Sequence, residues 1–537
     1  KRIKPMISVP HAMPRDSIHR TGRPMPTDCR MWFMLLAMAL ELADGAAAIA
    51  QQAGASSLSC KDATALLQTM AENDAAASHG RLQPSALATA AAMAEAKEAF
   101  YGRRNATGYR QAMLNFGDAQ YVAYMTIGRQ IITGILDTGS FELVVFGADC
   151  RTCGAAAHYS SQFSSSYQQG MLMTQQNFGS GGTVSMAGNE MVAIGPYPAT
   201  PQGFWNVQQA QMSVLFSAAF EAIIGVGPPE APMVDSWDLA GVAVSNVTSY
   251  YERGVEAPQQ AVAEAQARIM VANEISKKVP MLQTFNVGSF SVCIGARPAA
   301  DGVFVWDDPL PTARAELFVR VPITGRHSWT ANLTNAYLDY PGGDAPDFKE
   351  SSKQLGCEEG CSALLDSGTS LLAVPRPVLK LLELAMTLLK DDCSNLEVLP
   401  DIKFQLGGTH LTLPPDAYVA KVVGDAPRYL QELAPHINEG RRSRACQLML
   451  MEAAASSSAG PVWILGVPFF RRYYTNFHLG GAQMDQRALF MSPHSEDECT
   501  PSGWSQQLPK AAKRLRYIAA ERVRLPQMAQ DTTRWAA

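Results

Sequence analysis

The sequence predicts a duplicated globular fold, in which two related halves meet along a pseudo-twofold seam and each brings one carboxylate to it. Three observations predict this. Ile135-Leu136-Asp137-Thr138-Gly139-Ser140 reappears as Leu364-Leu365-Asp366-Ser367-Gly368-Thr369. Each copy has an apolar strand-like run before its Asp. Each is followed, 88 and 100 residues after the Asp, by the glycine of a second matching element: Ile223-Ile224-Gly225 and Ile464-Leu465-Gly466. One Asp-Ser/Thr-Gly-Ser/Thr tetrapeptide in a long chain is a weak signal. Two with matching partners downstream are not an accident of composition.

Composition permits a large core. The chain has 537 residues, of which 47% are apolar and 17% charged. That excludes global disorder. A net charge of −5 disfavours a dedicated nucleic-acid binder. Ten cysteines are too few for a small disulfide-stapled scaffold. No apolar run reaches the ~18 residues of a membrane-spanning helix.

Taken in chain order, the basic residues 1–30 precede the apolar run Met31–Leu40 and the small residues Ala48-Ile49-Ala50. This is the pattern of a secretory signal peptide. Residues 51–110 are Ala-rich, with Leu87 to Phe100 reading as helix and Arg103-Arg104 as a candidate processing site. We read them as a propeptide or linker. At the other end, Lys510, Lys513, Arg514, Arg516, Arg522, Arg524 and Arg534 form a basic tail, read as a solvated helix.

The repeat carries the chemistry. An apolar run ending in Asp places a carboxylate at a strand end, and the following glycine permits a tight turn. Flanking hydroxyls can hydrogen-bond across and fix the carboxylate planes. Two acids brought together cannot both ionise comfortably, so they share a proton and their pKa values split. The ionised member can act as general base on a water. The protonated one can polarise a carbonyl and then protonate a leaving nitrogen. That is amide hydrolysis without a covalent intermediate, and no cofactor or metal is called for. No His pairs with a Gly-x-Ser-x-Gly serine or forms His-Glu-x-x-His, so serine and zinc hydrolase readings lack support.

At these residues the sequence resembles the pepsin-like aspartic proteases, from about Leu114 to Pro493. Gly117–Tyr121 and Thr126-Ile127-Gly128 resemble the strand pair opening the family's first lobe. Phe220–Gly227 resembles the segment closing its first active-site loop. Leu399–Ile402 with Leu413–Tyr418 resembles a hairpin of the second lobe, and Trp463–Gly466 followed by Phe469–Tyr474 its last core strand and helix. The resemblance implies a mostly-β, bilobal fold with a central cleft, preceded by a partly helical extension. The organisation expected is a signal-like extension over 1–50, a propeptide or linker over 51–112, an N-terminal lobe over 113–280, a C-terminal lobe over 281–498 and the basic tail 499–537. It implies Asp137 and Asp366 as catalytic residues, with Ser140 and Thr369 bonded to them and Thr138 and Ser367 bracing the two loops through Gly139 and Gly368.

The resemblance also suggests three disulfides: Cys357–Cys361, Cys150–Cys153 and Cys393–Cys446. For Cys150 and Cys153 the rival is metal or thiol redox chemistry, but a zinc site needs two further ligands and none sits nearby at strong spacing. Cys29, Cys60, Cys293 and Cys499 have no partner legible in sequence. Sequons at Asn105, Asn246 and Asn332 agree with a secretory route.

The sequence departs from the family at the flap. Phe178, with Gly179 and Ser180, stands where the family carries a tyrosine, and Val144 stands where a tryptophan hydrogen-bonds that tyrosine. Both partners of one bond are replaced together, which leaves no polar group unpaired. Glu221 and Val467 replace, or sit beside, usual Asp positions. Residues 228–280 are longer than the family's link, and Val262, Ala265, Ile269 and Ala272 after Pro258 predict one helix packed on the lobe surface. The function predicted is an endopeptidase with an acidic optimum, Thr369 helping to keep the Asp366 pKa low. The substrate is a polypeptide lying extended in the cleft of a monomer, without nucleic acid or a stable membrane span. The expected compartment is the secretory pathway, extracellular or an acidic vacuole. An occluded cleft would instead favour a pepsin-fold binding or inhibitor protein without turnover.

Overall fold

Strand formation begins where the sequence alternates. Tyr109–Phe116 (β1) turns through Gly117 and Asp118 into Gln120–Ile127 (β2). A two-residue turn then leads into Gln130–Asp137 (β3), with Ile127 facing Gln130 across the ladder. Gly128 and Arg129 both have positive φ, 55° and 65°. That is the primed turn whose twist suits a tight hairpin. The computed structural model describes residues 108–340, 352–390, 392–439, 446–480, 486–494, 499–504 and 515–526. The signal-like segment, Leu87–Phe100, Arg103-Arg104 and Asn105 lie outside the described residues. β1 starts at Tyr109, four residues before the lobe boundary expected at 113, because it pairs with Gly302–Trp306.

The fold is mostly strand and the duplication is visible in its pairing. In the first half β2 is antiparallel to β3, β3 is parallel to Ala222–Gly225 (β5), β5 is antiparallel to Leu143–Phe146 (β4), and β4 is parallel to the long strand Tyr197–Gln211. The second half repeats the same senses. Thr330–Asp339 is antiparallel to Cys361–Leu365, which is parallel to Gly460–Leu465. That strand is antiparallel to Leu372–Val374, itself parallel to Leu450–Glu452. Strands with a buried parallel neighbour are continuous apolar runs. Ile135 and Leu136 are buried, as are Leu364 and Leu365. The strands Ser289–Ile294, Gly302–Trp306, Tyr473–His478 and Ala488–Pro493 join β1 to form a sheet shared by the two halves.

In the chain between the two halves comes a helical hairpin, Ala231–Glu252 and Gln259–Ser276, with a small core of Ala243, Val247, Ala257 and Ala265. The sequence reading anticipated only the second helix. Among the described residues four disulfides close: Cys150–Cys153, Cys357–Cys361, Cys393–Cys446 and Cys293–Cys499. The last joins a core strand to the segment after Pro493, 206 residues away, so no local spacing announced it. Over residues 515–526 the basic tail departs from the expected solvated helix, while Lys510, Lys513, Arg514 and Arg534 lie outside the described residues. Tyr517–Ala519 is a strand, parallel to Val419–Val423, and the chain runs on through a short 3-10 turn at Ala520–Arg522. Ile518, Val523 and Leu525 are buried in an apolar cluster with Leu371, Leu430 and Ile464. Burying these apolar side chains rewards an extended path over a solvated helix.

Candidate active site

Asp137 ends β3 and Asp366 follows Cys361–Leu365, so the paired parallel strands of each half deliver one carboxylate to the seam. Both are buried, at 2% and 1% exposure. The downstream glycines of the repeat now have a physical role. A Cβ on Gly225 would lie 2.4 Å from the backbone of Phe141 and Glu142, and one on Gly466 would lie 2.1 Å from the Leu371 carbonyl oxygen. Each glycine lets the neighbouring strand press directly against the loop that follows its Asp.

The two loops lock together by four reciprocal bonds. The Thr138 N–H donates to Ser367 Oγ (3.1 Å) and the Ser367 N–H to Thr138 Oγ1 (2.9 Å). Thr138 Oγ1 donates to the Leu365 carbonyl (2.8 Å) and Ser367 Oγ to the Leu136 carbonyl (2.6 Å). Gly139 N–H donates to Asp137 Oδ1 (3.0 Å), and Gly368 N–H to Asp366 Oδ1 (2.8 Å). The carboxyl groups face each other closely. A Cβ on Gly139 would sit 2.5 Å from Asp366 Cγ, and one on Gly368 would sit 2.5 Å from Asp137 Cγ. Only glycine fits at either position.

The hydroxyl neighbours differ. Thr369 Oγ1 donates to Asp366 Oδ2 at 2.5 Å. Ser140 Oγ is buried without hydrogen-bond geometry to any partner. This corrects the expectation of a matching bond. It still lies near enough to Asp137 to favour its charge. The Asp137 carboxylate is engaged instead by Arg524, whose Nη2 donates to Oδ2 at 2.7 Å.

Above the seam stands the hairpin of Gln168–Phe178 and Gly181–Ile194, with Gly179 and Ser180 at its tip. Phe178 is buried, and its ring lies 5.9 Å from the Arg524 guanidinium carbon. Val144 pairs with Trp205, whose indole N–H donates to Glu142 Oε1 (2.7 Å) rather than to the hairpin tip. Glu221 braces β3 by accepting from the Thr133 N–H (2.9 Å).

The profile described as eukaryotic aspartyl protease matches residues 120–252 and 321–486. The chain belongs to the eukaryotic aspartyl protease family. It is 26% identical to Renin-2 of Mus musculus over 379 residues, 68% of this chain and 78% of that protein. It is 24% identical to Pepsin A of Bos taurus over 392 residues, covering 70% and 85%. It is 25% identical to Cathepsin E of Rattus norvegicus over 392 residues, covering 70% and 82%. It is thus an aspartic endopeptidase, an enzyme that hydrolyses peptide bonds.

In this protease the two carboxyls are pushed apart in acidity. Burial would raise Asp137, but the charge and hydrogen bond of Arg524, helped by Asp366 and Ser140, outweigh it and hold the group below the usual carboxylate range. Burial and the neighbouring Asp137 charge raise Asp366 to about 7, against the opposing bond from Thr369. The sequence expectation that Thr369 would leave Asp366 low is therefore corrected: its hydrogen bond opposes two larger effects and loses.

Sequence reasoning missed Arg524 and the groups around it. A charge run reads as a solvated face. The available signal was the alternation Val523-Arg524-Leu525-Pro526, apolar then basic then apolar and closed by proline, which suits an extended segment better than a helix.

Proposed function

We propose that Asp137 and Asp366 are the catalytic pair and that they cleave a peptide bond through one water held between them. The observation that carries this is the close facing of two buried carboxyls across the seam, each over the other's glycine. The pair shares one proton. With the tail seated, Asp137 is the charged member and Asp366 the protonated one. The charged carboxylate takes a proton from water as its oxygen attacks the scissile carbonyl carbon. The protonated acid donates to the carbonyl oxygen, giving a tetrahedral diol. Collapse breaks the carbon–nitrogen bond. The proton taken from water passes to the leaving nitrogen, and a diol hydroxyl returns its proton to the pair. Singly protonated pairs favour acidic to near-neutral conditions, with loss of activity as pH rises past the higher pKa.

The cleft is occluded, but by the chain's own tail rather than by bulky groups on its walls. The glycines and Thr369 around the carboxyls keep the geometry that chemistry requires. This favours a restrained enzyme over a binder without turnover. The secretory route gains support from the four disulfides, which persist in oxidising compartments, and from exposed Asn246 and Asn332 in two sequons. We read the compartment as extracellular or an acidic vacuole and the enzyme as a monomer. No helix among the described residues is long and apolar enough to cross a membrane.

The test is cleavage of denatured globin at acidic pH with and without pepstatin, after acid treatment. Pepstatin-sensitive cleavage that vanishes in Asp137→Asn and in Asp366→Asn is expected. Cleavage that survives either substitution would refute the assignment.

A further inference from the structure

We propose that residues 515–526 are a built-in, peptide-like inhibitor of the cleft, and that Arg524 is the group that locks the carboxyl pair. This rests on the reading of Asp137 and Asp366 as the catalytic pair.

After the turn at Ala520–Arg522, residues 523–526 are held as an extended peptide would be held, by main-chain bonds from both sides. From the hairpin above, the Gly179 N–H donates to the Pro526 carbonyl (2.7 Å), and the Leu525 N–H donates to Ser180 Oγ (2.9 Å). From the loop below, the Ser370 N–H donates to the Arg524 carbonyl (2.9 Å), and the Arg524 N–H donates to Ser370 Oγ (2.9 Å). Further back, Tyr429 Oη donates to the Val523 carbonyl and Gln120 Nε2 to the Arg522 carbonyl (2.9 Å). A Cβ on Gly179 would come 2.7 Å from Leu525 Cβ, so the hairpin tip closes on the segment with no spare room.

The contacts with the carboxyl pair show why it inhibits instead of being cut. Arg524 is 1% exposed and reaches Asp137 Oδ2 with one nitrogen and the Gly368 carbonyl with another (2.9 Å). The guanidinium takes the carboxylate oxygen that would otherwise hold the attacking water. The Arg524 carbonyl is turned to Ser370 and is not offered to the acids. A buried guanidinium without a carboxylate is strongly unfavourable, so the cleft and this side chain are complementary in charge. Tethering then makes the occupancy effective. An attached segment with an effective concentration of about 1 mM and an intrinsic Kd of about 10 μM leaves roughly one molecule in a hundred open.

The experiment compares the full chain, Arg524→Ala in the full chain, and a chain ending at Trp504, all carried through the same acid treatment. Cleavage of a fluorogenic peptide is followed, and a synthetic peptide of residues 515–526 is added back. We expect kcat/KM to rise about a hundredfold in the shortened chain and at least about tenfold in Arg524→Ala. The added peptide should inhibit the shortened chain competitively, and the same peptide with the Arg524→Ala change should inhibit about tenfold more weakly. Equal rates in all three chains, or no inhibition at 1 mM peptide, would overturn the proposal. Should the shortened chain unfold, Arg524→Ala keeps the strand 517–519 and decides alone. If no form cleaves anything, a fluorescent peptide is titrated onto the shortened chain or, should that unfold, onto Arg524→Ala. Saturable binding displaced by pepstatin upholds the tail as cleft ligand while removing the catalytic reading. Absence of binding sinks the tail proposal itself.

Discussion

The loops that follow Asp137 and Asp366 share a backbone and differ in their electrical surroundings. Each offers a glycine N–H to its own carboxylate and a hydroxyl residue to the opposite loop. The strand pairing behind them has the same sense in both halves. Yet one acid is held low and the other is raised to about 7. Two features break the symmetry. Arg524 binds Asp137 alone, and Thr369 bonds Asp366 where Ser140 makes no bond. The duplicated fold supplies a nearly symmetric pair. A segment from outside the duplication, 387 residues from Asp137, polarises it.

The largest effects should separate chemistry from charge pairing. In a tail-less chain, Asp137→Asn and Asp366→Asn should each lower kcat/KM at least about 10³-fold, since either change removes half of the acid–base pair. In the full chain their stabilities should diverge. Asp137→Asn leaves the Arg524 guanidinium buried without its counter-charge and should cost about 3 kcal/mol in denaturant unfolding. Asp366→Asn should cost far less. Equal losses would mean that Arg524 does not distinguish the two loops.

The bracing bonds should behave symmetrically. Thr138→Val and Ser367→Ala each remove one hydroxyl that accepts from the opposite loop's N–H and donates to its carbonyl. Each leaves two buried main-chain groups unsatisfied, at about 1–3 kcal/mol apiece. Thermal unfolding should drop by similar amounts in the two variants. A large inequality would show that one half carries the seam.

Acid should loosen the tail. The titratable groups facing Asp137 are Asp366 and Arg524. A carboxylate whose pKa is depressed by Arg524 contributes docking free energy above its ordinary value of about 3.9, and that contribution is lost as pH falls through the depressed value. The affinity of a labelled 515–526 peptide for the tail-less chain should therefore be steady near pH 5. It should then fall about tenfold per unit below the ordinary carboxylate range. Affinity that grew in acid would contradict the ion pair as the lock.

Much of the site is legible in the sequence alone, and the exceptions share a cause. Asp137, Asp366 and their glycines were legible because each half repeats a short string whose residues serve the same turn. The hairpin tip at Phe178–Ser180 was legible by resemblance. The tail was not, because its hydrogen-bond partners lie 94 to 402 residues away and a run of arginines carries no sign of what it will face. The same holds for Cys293–Cys499. The helix Ala231–Glu252 was missed because it has no clean apolar stripe, its side chains being mostly small and its core a few alanines and valines.

The smallest effect tests the remaining asymmetry, between Thr369 and Ser140. Thr369 Oγ1 donates to the charged form of Asp366, so its bond opposes the upward shift caused by burial and by Asp137. Thr369→Val removes that opposition and should raise the Asp366 pKa further. Because Asp366 must hold its proton to polarise the substrate carbonyl, the alkaline limb of kcat/KM in the tail-less chain should move upward by about one pH unit, the equivalent of about 1.4 kcal/mol. Ser140 makes no hydrogen bond, so Ser140→Ala should shift the acid limb by only a few tenths of a unit, a change near the lower end for a polar neighbour. A shift at Ser140 as large as that at Thr369 would mean that the free hydroxyl closes on Asp137 once Arg524 has left, and that the loops are electrically alike when the cleft is open.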